Sequence, residues 1–109
     1  MIMLMSASAI TLAALQASIN APTDAFRGCL REATSNATSE KVAPDAIEAY
    51  LRGACTVQMN SLRSALVAFR VKNGMAKKTA AEDAAMTVDD YVATPVENFK
   101  FMSTLNAPK

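Results

Sequence analysis

Apolar residues in this chain recur at spacings of three and four, the period of a helix buried along one side. No strand-like alternation bounded by turn residues runs for more than a few positions. Phe26, Cys29, Leu30, Ala33 and Ala37 make one narrow face. Thr23 or Asp24 can cap the free amides ahead of it, so a first helix is expected over about 23–40. It should fray across Ser35 to Ser39, a run of poor helix formers. Pro44 suits the first turn of a second helix, and Ile47, Leu51, Cys55, Met59, Leu62, Leu66 and Phe69 carry its stripe toward Lys72. Asn73-Gly74 ends it, because glycine accepts the left-handed conformation that stops a helix.

Two further starts follow. Thr79-Ala80-Ala81-Glu82 matches a capping box, with Ala81, Ala84, Ala85, Val88, Tyr91 and Val92 on the apolar side of the helix it opens. Thr94-Pro95-Val96-Glu97 repeats the logic, predicting either a fourth short helix or a kinked continuation that presents Val96, Phe99 and Met102. The fold expected is therefore all-α: a small antiparallel bundle of three to four helices at about 23–40, 44–72, 79–93 and 95–105.

The first stretch has a different pattern. Met1 to Ala21 carries no charged side chain, and Ile2, Met3, Leu4, Met5, Ile10, Leu12 and Leu15 lie in an apolar run followed by the small residues Ala17, Ser18 and Ala21. Such a run reads as an export signal cut between Ala17 and Ala21, although it lacks a basic start. About twenty apolar residues also suffice for an uncleaved membrane anchor. A buried first helix of a cytosolic domain is the third reading, disfavoured by the missing polar face. The expected division is residues 1–21 as signal and 22–109 as a single helical domain. A helical domain of 88 residues is marginally stable without a staple.

The two cysteines supply one. If the first two helices fold back about a turn near Val42, Cys29 faces Cys55, Ala33 faces Leu51 and Ala37 faces Ile47. In an oxidising compartment this pair should form a disulfide, whose loop of roughly 27 residues is worth on the order of 3 kcal/mol. Their mid-helix positions are unlike a reactive pair spaced two residues apart at a helix start.

Composition removes several kinds of chemistry. The chain of 109 residues has no His and no Trp, so histidine-based acid–base catalysis and ligation are excluded. Two sulfurs alone make a poor zinc site, and no cofactor is expected. A net charge of +1 gives no argument for nucleic acid as a partner, and a membrane partner is expected only if the first segment stays attached. Six basic residues run from Arg52 through Arg63, Arg70, Lys72 and Lys77 to Lys78 without an acid, and Glu82, Asp83, Asp89, Asp90 and Glu97 follow. Folding about Ala76 would set Arg70 opposite Glu82 and Arg63 opposite Asp89, an internal charge match. Met59, Met75, Met86 and Met102 read as core filler, and Tyr50 and Tyr91 as packing residues with a polar tip. Asn36-Ala37-Thr38 fits the glycosylation acceptor pattern, which is common by chance.

Taken together, Cys29, Cys55, the run Leu62-Arg63-Ser64-Ala65-Leu66-Val67-Ala68-Phe69, the close Val71-Lys72-Asn73-Gly74 and Asp89-Asp90-Tyr91-Val92-Ala93-Thr94 resemble small exported two-cysteine proteins of Gram-negative bacteria. That group has no assigned activity, so the resemblance, which spans roughly Asp24 to Lys100, implies a periplasmic setting and transfers no functional residue. The functional expectation is a non-enzymatic periplasmic or secreted helical protein, a structural or interaction module stabilised by one disulfide, with any protein partner unidentified. The alternative is a small-ligand carrier or thiol-redox protein of the cell envelope.

Overall fold

The computed structural model describes the backbone of residues 2–106 and the side chains of residues 19–106. Four α-helices pack against one another: α1 (Ile2–Ser39), α2 (Ile47–Ala54), α3 (Thr56–Lys72) and α4 (Lys77–Asn106). A 3-10 turn at Pro44–Ala46 leads into α2. No strand occurs among the described residues. The expectation of a cut or an anchor within residues 1–21 falls almost wholly on side chains outside the described set.

The first helix does not begin at Thr23 or Asp24. Pro22 lies inside α1, and Thr23 turns its hydroxyl back onto the Ile19 carbonyl at 2.8 Å. A threonine bonded to the residue four positions earlier is an interior threonine and not a cap. At its other end α1 stops sharply where fraying was expected. The Lys41 amide donates to Thr38 and the Val42 amide to Ala37, at 3.2 and 2.9 Å, with Lys41 at φ 58°. This pair of bonds closes the last turn of a helix around a left-handed residue.

A second stop of the same kind closes α3. Gly74 has φ 97°, its amide donates to Val71, and the Met75 amide donates to Arg70. Here the sequence expectation at Asn73-Gly74 holds, since the left-handed position falls on the residue that adopts it without steric cost.

The single second helix expected over 44–72 is broken at Cys55, whose φ of −114° and ψ of 24° lie outside the helical range. The Cys55 amide ends the ladder of α2 on Leu51, and the Cys55 carbonyl starts that of α3 by accepting from Met59. Thr56 donates its hydroxyl to the carbonyls of Arg52 and Gly53, at 2.9 and 3.1 Å, covering acceptors at the break. The third and fourth expected helices are one rod, α4, with Pro95 in its interior. Neither Thr79 nor Thr94 acts as a cap. The turn through Gly74 is short enough for α4 to start at Lys77, and the Ala80 amide already donates to Ala76.

The core draws one face from each helix. Phe26, Leu30, Ala33 and Ala37 come from α1, Ile47 and Leu51 from α2, and Leu62 and Leu66 from α3, with Cys55 between them. From α4 come Ala84, Val88, Val92, Val96 and Phe99, spaced four residues apart and then three. Ala80 is buried where Ala81 was expected. Small residues on α1 and α4 let the helices approach closely, and the larger Ile47, Leu51 and Leu62 fill the space between them. Met59 packs against this core as expected, but Met86 and Met102 are exposed. The α4 stripe is satisfied by valine and phenylalanine, so neither methionine is needed inside.

Candidate functional site

Cys29 and Cys55 are joined, with S–S 2.08 Å and Cα–Cα 5.9 Å. The expected pairing is therefore present. The bond ties the C-terminal half of α1 to the junction of α2 and α3, with Cys55 fully buried and Cys29 half-buried. The small residues Ala33 and Ala37 and their expected opposites Leu51 and Ile47 are buried in one cluster.

Arg52 also ties this junction to its neighbours. Its Nε donates to Glu48 on α2 at 3.1 Å, its Nη2 donates to Asp89 on α4 at 3.0 Å, and its Nη1 lies 3.9 Å from the Met59 sulfur on α3. Partial burial works against the guanidinium's charge, but the bonds to Asp89 and Glu48 outweigh it and leave its pKa raised. Arg52 thus takes the acid expected for Arg63. Arg70, expected opposite Glu82, donates instead to the Thr87 hydroxyl at 3.1 Å. The Nε atoms of Arg63 and Arg70 are buried with no hydrogen-bond partner among the described residues. The buried faces set the helix register, and in that register Arg52 rather than Arg63 reaches Asp89.

Tyr50 donates its hydroxyl to Glu40 at 2.7 Å, spanning the turn between α1 and α2. That bond, followed by slight desolvation and the carboxylate charge, raises the Tyr50 pKa above the ordinary phenol value. Tyr91 packs edge-on against Phe26, with ring centroids 6.4 Å apart and planes at 83°. Both tyrosines therefore play the packing role expected of them.

Tyr91 also belongs to a groove that sequence reasoning missed. One wall comes from α1 through Arg27, Leu30, Arg31 and Thr34. The other comes from α4 through Asp90, Tyr91, Thr94, Pro95 and Asn98. The groove has a volume of about 560 Å³ and is open along one side. The Arg27 guanidinium carbon lies 6.0 Å from the centre of the Tyr91 ring, within range of a cation–π attraction. Arg27 and Arg31 stand four residues apart beside the Phe26–Leu30 stripe, a local signal that was available. Their meeting with Tyr91 and Asn98, some sixty residues away in sequence, was not.

Among the described residues no helix is long and apolar enough to cross a membrane. Comparison with models of protein families, with curated proteins and with solved structures finds no match to this chain.

Proposed function

We propose that this is an exported, non-enzymatic helical protein of the periplasm or the extracellular space, which acts by binding another macromolecule. The observation that carries the reading is the Cys29–Cys55 bond, because such a cross-link persists in oxidising compartments and is rare where thiols are kept reduced. It stands in the middle of a small core, where a covalent tie is worth most.

In this reading α1 and the kinked α2–α3 unit run antiparallel. The Glu40–Tyr50 bond near the turn and the disulfide further out support that arrangement. The apolar start of the chain serves as the export signal, removed between Ala17 and Ala21. Intact mass spectrometry of protein from its native host, with and without reduction, tests the proposal. The expected product begins after residue 17 to 21 and gains two hydrogens on reduction. A full-length, reduced chain recovered from the cytosol would overturn it.

A further inference from the structure

We propose that the groove between α1 and α4 docks a short peptide segment of a partner protein, one that carries a carboxylate beside an apolar side chain. The inference rests on the binding function proposed above and names the chemistry of the partner. Charge comes first. The ion pairs among the described residues join Arg52 to Glu48 and Asp89, and none of the acidic groups described lies within 4.0 Å of the Arg27 or Arg31 guanidinium. Two guanidinium groups one helical turn apart can each offer a two-pronged fit to a carboxylate. Arg27 is positioned over Tyr91, and Arg31 lies across Gly28, 3.9 Å from where a Cβ would stand. An alanine there would only touch it.

Leu30, Tyr91 and Pro95 supply an apolar surface beside the arginines. The open side favours a passing chain over a small molecule, since small-molecule sites typically enclose about 70–90% of the ligand surface. Asp90 on the same wall disfavours a run of acids, so an isolated carboxylate fits best.

The test uses the oxidised, isotopically labelled protein and octapeptides of Gly and Ser, acetylated at one end and amidated at the other, around a central Phe-Asp or Phe-Asn. A third peptide ends in Phe with a free carboxylate, and a fourth is its amide. Amide shifts confined to the groove are expected with Phe-Asp or with the free C-terminus, and which of the two binds identifies the source of the carboxylate. Arg31→Gln or Arg27→Gln should weaken binding about tenfold, and Arg31→Lys should recover part of it. Unchanged circular dichroism shows that each variant is folded. Equal binding of both carboxylate peptides and their neutral counterparts, no groove shifts from any of them up to about 5 mM peptide, or unchanged affinity in R27Q/R31Q would each overturn the proposal. Pelleting with anionic phosphatidylglycerol vesicles that R27Q/R31Q abolishes, without peptide binding, would assign the groove to lipid and also overturn it. A cross-linked partner mapped to another surface, with no peptide binding, removes the groove but leaves the binding function. Peptide binding with no cross-linked partner in the native envelope does the reverse.

Discussion

Reducing the Cys29–Cys55 bond should remove a large share of this protein's stability while leaving its helices in place. The cross-link closes a segment with a sequence separation of 26, for which the chain-entropy relation gives about 3.5 kcal/mol. A variant carrying Cys29→Ser and Cys55→Ala loses that and also a fully buried sulfur at position 55, which adds on the order of 1 kcal/mol. Serine suits position 29 because that site is half-exposed, whereas a serine at 55 would bury an unpaired hydroxyl. Urea denaturation of the oxidised protein, the reduced protein and the double variant separates the two contributions. With a slope of about 1 to 1.5 kcal/mol/M, the midpoint should fall by about 2.3 to 3.5 M on reduction and further in the variant. A fall below about 0.5 M on reduction would refute the reasoning. So would a marked fall in slope, because α1 would then be detaching from the rest in place of a single weakened transition.

Other consequences follow from particular residues. Lys41→Gly relieves a left-handed position occupied by a residue with a Cβ and should raise the unfolding free energy by about 1 kcal/mol in the same urea assay; a loss would show that the stop at Val42 is misread. Leu62→Ala, at a fully buried site, should cost about 2 to 5 kcal/mol, and a cost under about 1 kcal/mol would place Leu62 outside the core. Ala84→Leu adds volume where α4 is fully buried and should cost about 1 to 3 kcal/mol; if calorimetry finds it neutral, the helices are not closely packed there. In a Tyr91→Phe background, Glu40→Gln should move the Tyr50 phenolate transition, read at 295 nm, to lower pH. The Tyr50 pKa is raised in the fold, so its small stabilisation is complete below the ordinary tyrosine pKa and is lost as pH rises through the raised one.

The two helix stops show how local sequence can be followed and where it misleads. Both close with the same pair of hydrogen bonds around a left-handed residue. At Gly74 the residue type announces the geometry. At Lys41 it does not, and Val42 and Ala37 settle the stop by packing against the core at the expense of a strained lysine. Likewise Thr79-Glu82 has the letters of a helix start, yet the chain had already turned at Gly74 and begun α4 at Lys77.

The sequence by itself determined the all-helical class, most of the buried face of each helix and the cysteine pair, because these depend on apolar spacing within one or two turns and on two cysteines that fall on such faces. Tertiary structure decided the break at Cys55, the partner of Asp89 and the groove of Arg27, Arg31 and Tyr91. Relative helix register is set by burial, at about 1.5 to 3 kcal/mol for each large apolar side chain. Exposed ion pairs contribute about 0.2 to 1 kcal/mol and follow whatever register burial selects. Hence charge matching along the sequence placed Arg63 opposite Asp89, while the packed helices gave that acid to Arg52 and left Arg27 and Arg31 lining an open groove.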